Sequence, residues 1–250
     1  MEVKRRNFQG VLNILSFNRH FYVAGIIALS LIVVCKYIFN WSSDWYLLVV
    51  LAFIYGLSMP LIVSAYVYDL SGFYHFDWLK KMKIEDTTDH FNLNINAGFD
   101  ETSFIIERIL PQSKLQVYDF YNSKQHTEPA IVRARKVSEV YPNTQQINSN
   151  SFPLPDQSVD TIFLLSALHE IRKHDEKVQF LKECHRVCKP KGNVIMVEHL
   201  RDFPNFLAFT IGFTHFFSKT TWKKAFNEAG FSSITETKFT PFMSIFKCHS

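Results

Sequence analysis

The sequence predicts an α/β domain on a mostly parallel sheet with a terminal antiparallel strand, preceded by two transmembrane helices. Three observations predict it. An apolar strand at 161–165, an amphipathic helix at 175–188, a stop at Pro190 and Gly192 and a second apolar strand at 193–198 make a β-α-β crossover; such strands are apolar throughout because helices cover both faces of a parallel sheet. Two short strands, 234–238 and 243–247, then follow with too few residues between them for a crossover, so they pair antiparallel. Two long apolar stretches precede all of this, and the chain divides into a membrane anchor, 1–84, and a soluble domain, 85–250.

Residues 21–39 are long enough to cross a hydrocarbon core, which takes about 20 residues of helix. Their one charge, Lys36, lies near an end from which it can snorkel. Residues 45–68 are longer and uncharged, with Gly56 and Pro60 as sites of a kink. The link holds Trp41, Asp44 and Trp45, interfacial residues without a Lys or Arg, so the pair reads as a hairpin. Lys4, Arg5, Arg6 and Arg19 precede it and Lys80, Lys81 and Lys83 follow it; the positive-inside rule therefore puts both termini and the soluble domain in the cytoplasm. A cleaved leader is disfavoured by the length of the first stretch and by the second span behind it; buried core helices are the other alternative. Residues 3–17, basic and then apolar, are expected on the inner membrane surface, and 66–83 as an interfacial connector or as aromatics in ordinary packing.

The soluble part begins with a strand at 90–95, followed by a helix to about 110 that Asp100 caps. A second strand occupies 114–119, a helix 128–140, and a short third strand 145–148. After the crossover come a helix at 219–229, closed by Gly230, and the terminal strand pair. The four cysteines, Cys35, Cys184, Cys188 and Cys248, form no paired Cys-x-x-Cys signature, so no metal site and only reduced thiols are expected. A net charge of +4 without a basic tract argues against nucleic acid as a partner.

Four segments carry a resemblance: Phe152-Pro-Leu-Pro-Asp-Gln-Ser-Val-Asp160, Leu168-His-Glu-Ile171, Arg186-Val-Cys-Lys-Pro-Lys-Gly192 and Phe226-Asn-Glu-Ala-Gly-Phe231. Together they are similar to class I S-adenosylmethionine-dependent methyltransferases, above all the branch with quinone, sterol and other small-molecule enzymes, over roughly residues 89–247. The resemblance implies a Rossmann-like fold, S-adenosylmethionine as cofactor, and a cofactor site outside the carboxyl ends of the strands. Asn94, Asn96, Gly98 and Asp100 stand where the family has an acidic residue and three glycines. Gly98 keeps the close backbone approach; Asn96 replaces a glycine with a residue that tolerates positive φ. Asp119 matches the acidic residue that holds the ribose hydroxyls, and Asn148 and Ser149 match the adenine contacts. An Asn carbonyl still accepts a hydrogen bond from the adenine amino group. Phe120, Tyr121 and Phe152 are candidates for stacking on the base.

Methyl transfer asks the protein to hold a nucleophile in line with an activated methyl and, for a hydroxyl or acidic carbon, to remove a proton. His169 and Glu170 follow the fourth strand, Glu198 and His199 end the fifth; His169 is favoured over His199 as general base, with Glu170 beside it and His215 a third candidate. The aromatic stretch 203–217 lies where the family builds its acceptor pocket. Anchor and pocket together predict a membrane-bound methyltransferase for a lipophilic acceptor such as a quinone precursor, a lipid or a pigment. The alternative is a methyltransferase-like membrane scaffold whose eroded glycine loop binds no cofactor. A nicotinamide-dependent reductase is disfavoured because a full Gly-x-Gly-x-x-Gly turn is missing.

Overall fold

The computed structural model describes residues 5–124 and 128–249; Lys4 and the start of the expected surface segment lie outside the described residues. A short helix α1 (Gln9–Phe17) leads into α2 (Arg19–Phe39) and α3 (Ser43–Ser64). Ser42 caps α3 by accepting from the Trp45 N–H, and Lys36 reaches out of the apolar stretch to lie 4.5 Å over the Tyr46 ring. Two helical segments, Arg19–Phe39 and Ser43–His75, are long and apolar enough to cross a membrane, and their apolar windows are only 0% and 11% buried. That exposure is not the packing of a core helix.

The second segment does not end in a straight α-helix. A π-helical turn, Ala65–Leu70, is followed by a 3-10 turn, Phe73–His75, and α4 (Asp77–Lys80). Phe73, Phe76, Trp78 and Leu79 are buried in one core cluster with Val63, Val67, Phe163, Ile195 and Ile245. Of the two sequence readings of 66–83, an interfacial connector or aromatics in ordinary packing, these four side chains follow the second. One face of the sheet lacks enough crossover helices to cover it, and the end of the second segment supplies the cover, so packing does not divide at residue 84.

The sheet runs through β1 (Phe91–Asn96), α5 (Ser103–Ile109), β2 (Lys114–Asp119), α6 (Pro129–Arg135), β3 (Gln145–Gln146), β4 (Val159–Leu165), α7 (His174–Val187), β5 (Cys188–His199), α8 (Phe203–Phe209), α9 (Lys219–Glu228), β6 (Ser233–Thr240) and β7 (Met243–His249). Its order is β3-β2-β1-β4-β5-β7-β6, with β7 antiparallel to both neighbours. The order reverses between β1 and β4, which opens a crevice above their carboxyl ends. Several boundaries differ from expectation, these most of all. α6 stops at Arg135, β3 keeps only two residues, and β5 starts at Cys188, since the chain passes from α7 straight into an extended strand through Pro190 and Gly192.

α1 packs onto the domain. Asp69 of the π-turn accepts the Gly10 and Val11 N–H groups at 2.7 and 3.0 Å, two donors that a helix start leaves unpaired. A Cβ on Gly10 would lie 2.4 Å from Tyr68 Cβ, so only glycine allows this approach. Arg5 pairs with Glu101 at 2.6 Å, and Phe17 meets Phe99 edge-on at 5.3 Å, which places α1 against the loop after β1. Its other face leaves Phe8, Leu12 and Leu15 exposed.

Candidate active site

The loop after β1 is built from side chains where glycines were expected. Asn94 Nδ2 donates to Thr102 Oγ1 (3.1 Å) and Ser103 Oγ (2.7 Å), while Asn96 Oδ1 accepts the Gly98 N–H at 2.7 Å, the geometry of an Asx turn. Gly98 sits at φ +80°, a region where a side chain is strained. The α5 helix starts later than predicted, yet Asp100 still serves it: Oδ1 accepts the Thr102 and Ser103 N–H groups, both at 2.9 Å. Four buried polar atoms around this crevice have no partner: Asn94 Oδ1, Asn96 Nδ2, Asp100 Oδ2 and, at the end of β4, Ser166 Oγ. A buried polar atom without a bond costs about 1–3 kcal/mol.

Asp119 ends β2, in register with Asn96. Its Oδ1 accepts the Tyr121 N–H at 2.8 Å, and its Oδ2 accepts from Arg135 Nη1 at 2.7 Å. The same nitrogen donates to the Ala97 carbonyl at 3.0 Å, and the guanidinium lies 4.0 Å over the Tyr121 ring. A Cβ on Gly98 would fall 1.3 Å from Arg135 Nη1, so the guanidinium fills the space that the glycine opens. Phe120 and Phe152 are turned inward against Phe180, at 5.3 and 5.2 Å between rings, and have no face left for a base. Of the three aromatic candidates, Tyr121 alone keeps exposure. Asn148 is exposed and bridges Ser151; Ser149 Oγ donates to Glu176 of α7 at 2.8 Å.

Across the crevice, a 3-10 turn, Leu168–Glu170, follows β4 and holds His169 above β5. His169 Nδ1 donates to Glu198 Oε2 at 2.8 Å, its backbone N–H to Oε1 at 3.2 Å, and Nε2 lies 3.5 Å from Glu170. Burial alone would lower the imidazole, but the charges and hydrogen bonds of Glu198 and Glu170 overcome it and raise His169 to about 10. His199 is the opposite case. Burial pushes it down to about 4, so it is neutral at pH 7. Its Nδ1 faces the Phe242 carbonyl (2.9 Å) and Asn205 Oδ1 (3.1 Å), both acceptors, so the proton sits there and Nε2 accepts from the Tyr68 hydroxyl at 2.8 Å. Both nitrogens of His199 thus join the π-turn to the sheet. Lys177, under the Phe217 and Trp222 rings, donates to the Arg172 carbonyl at 3.0 Å and is lowered to about 7 by burial and then by the Arg172 charge.

These two histidines make stability depend on pH in opposite senses. His169, raised from 6.5 to about 10, contributes stability that is complete below pH 6.5 and lost as pH rises toward 10. His199, lowered to about 4, takes up its proton in the unfolded chain first, so stability falls as pH drops from 6.5 toward 4. Above pH 7 the loss at His169 is opposed by Lys177, whose lowered value makes stability rise with pH, so the check is a difference: the melting temperature should fall from pH 6.5 toward 4, and the advantage of wild type over His169→Asn should shrink as pH rises toward 10. An advantage that does not shrink would remove the charge assignment.

Residues 107–196 match the methyltransferase domain family. Over that stretch, about a third of its length, the chain is similar to methyltransferase domains. The fold agrees with solved structures at low identity: a SAM-dependent methyltransferase from Aquifex aeolicus (18% identity, TM-score 0.51, 76% of this chain and 97% of that one) and a putative O-methyltransferase from Nostoc punctiforme (12%, 0.52, 79% and 60%). The PH0226 protein from Pyrococcus horikoshii is a third (17%, 0.50, 69% and 85%). No curated protein matches.

The unpaired polar atoms around Gly98 would fit the polar amino-acid end of S-adenosylmethionine, and the Asp119 carboxylate would be open to a ribose only once Arg135 leaves Gly98. Sequence reasoning missed Arg135, Tyr68, Asn205 and Glu128. None carries a local signal, since each reaches the site from another part of the chain.

Proposed function

We propose that the chain is a methyltransferase that spans the membrane twice, with both termini cytoplasmic, and methylates a lipophilic acceptor drawn from the cytoplasmic leaflet. One observation carries the reading. The Tyr55 hydroxyl on α3 donates to the Leu207 carbonyl of α8 at 2.7 Å, and beside it Phe203, Phe206, Leu207 and Ile211 are exposed. Tyr55 is 12 residues beyond Ser43. At 1.5 Å per residue that is about 18 Å into a hydrocarbon core about 30 Å thick. The tip of α8 then lies within the inner leaflet, where exposed aromatics are favoured and where an isoprenoid quinone precursor, a lipid or a pigment is concentrated.

S-adenosylmethionine supplies a methyl group on a sulfonium, so the leaving thioether needs no help. Asn94, Asn96, Gly98 and Asp100 would hold its amino-acid end, Asp119 the ribose, and Asn148 and Ser149 the adenine. His169, oriented by Glu198 and flanked by Glu170, takes the acceptor's proton at Nε2. His199, with Asn205 and Tyr68, positions the aromatic wall of Phe209 and Phe216, which lie 5.3 and 4.9 Å from its ring.

A reporter fused after Ser250 is expected to read cytoplasmic and one inserted near Ser43 external, and the full chain to need detergent for extraction. Intact chain in the detergent-free soluble fraction would overturn the anchor. Charging the α8 tip, Phe203→Asp with Ile211→Asp, should raise KM for a bilayer-embedded acceptor while leaving S-adenosylmethionine affinity unchanged.

A further inference from the structure

We infer that His169, Glu170 and His215 form a binding site for one divalent transition-metal cation on the acceptor side of the crevice. One ligand atom from each lies within 4.8 Å of the other two. Two separate 3-10 turns bring them together: Leu168–Glu170 after β4 and Thr210–His215 after α8. The histidine rings meet edge to face at 5.1 Å.

What separates this cluster from an incidental one is the second layer. Glu198 holds His169 Nδ1 at 2.8 Å from a side chain only 2% exposed, and Glu128 Oε2 lies 3.1 Å from His215 Nδ1. Each imidazole therefore has a carboxylate on Nδ1 and keeps Nε2 for a ligand, the pattern by which metal-binding histidines are oriented and made more basic. Arg172 fastens the two turns to each other, donating to the His169 carbonyl at 3.1 Å and the His215 carbonyl at 2.7 Å. Glu170 and Glu198 lie against His169 and Glu128 against His215, with the Arg172 guanidinium 3.9 Å from Glu128, so carboxylates surround both imidazoles in a charge pattern suited to a dication.

Two imidazoles and one carboxylate are a borderline donor set, suited to zinc, cobalt, iron or nickel rather than to magnesium or calcium, and they leave coordination positions open. An oxygen of the acceptor would take one of them. With Nε2 on the cation, His169 is no longer the base: ligation lowers the proton affinity of the acceptor oxygen and its proton leaves to solvent, whereas His169 takes that proton only in the metal-free protein. This role rests on the proposed function; the binding of the cation does not.

The test uses untagged full-length chain in detergent, stripped with chelator and titrated with Co²⁺, whose visible bands report nitrogen and oxygen ligation. One equivalent is expected to bind and to be displaced by Zn²⁺. His215→Ala and Glu170→Gln should lose the bands. Glu128→Gln, which keeps all three ligands, should weaken binding about 10- to 100-fold. Bands that persist in both ligand variants, or absence of bands in the wild type, would overturn the site. S-adenosylmethionine titration of the same samples separates the two readings: lost cofactor binding with Co²⁺ retained would sink methyl transfer alone.

Discussion

Asp119→Ala is expected to weaken S-adenosylmethionine binding by on the order of 2–4 kcal/mol, roughly 30- to 1000-fold, whereas Arg135→Ala should strengthen it. The opposite signs follow from one geometry. The carboxylate that would take the ribose hydroxyls already holds Arg135 at 2.7 Å, and that guanidinium lies directly over Gly98. Cofactor binding must break this ion pair, which is partly exposed at 28% and 10%, so its removal gains about 1 kcal/mol, a several-fold tightening. Gly98→Val should abolish binding, because it adds strain at φ +80° and puts carbon where both the guanidinium and the cofactor would sit. Calorimetric titration of the three folded variants checks the set. Weaker binding in Arg135→Ala would mean that the arginine is a cofactor ligand and not its competitor.

Loss of the His169 imidazole is expected to act on turnover rather than on cofactor affinity. His169→Ala should lower turnover by about 10²- to 10⁴-fold with S-adenosylmethionine affinity unchanged. A base held near 10 by Glu198 and Glu170 is mostly protonated at neutral pH, so the wild-type rate in chelator should climb about tenfold per pH unit until pH approaches 10. Glu198→Gln removes the carboxylate on Nδ1, and the limb should then move to lower pH. A rate independent of pH between 6 and 9 would sink the base assignment, even if the alanine variant were slow.

Much of this fold follows from local sequence. The period of the apolar residues and the Pro/Gly breaks located all seven strands, because a buried strand and an amphipathic helix each leave a pattern within a dozen residues. The ends of β1 and β2, near which Gly98 and Asp119 stand, were legible for the same reason, since a strand end is a local property; the cofactor roles proposed for the two residues come from the family resemblance. Apolar length alone marked the two membrane-length helices, although only packing showed that 73–79 belong to the core of the sheet.

Tertiary structure decided what shares a site. Arg135 reaches Asp119 from a helix 16 residues on, Tyr68 reaches His199 across 131 residues, and Arg172 carries the His215 carbonyl across 43. These pairings depend on crossover handedness and on where a π-turn rotates its side chains, and no short window of sequence contains either. The protonation of the two histidines has the same origin. His169 and His199 are one residue type with one intrinsic affinity for a proton, driven in opposite directions because folding places two carboxylates beside the first and surrounds the second with a carbonyl, an amide and aromatic rings.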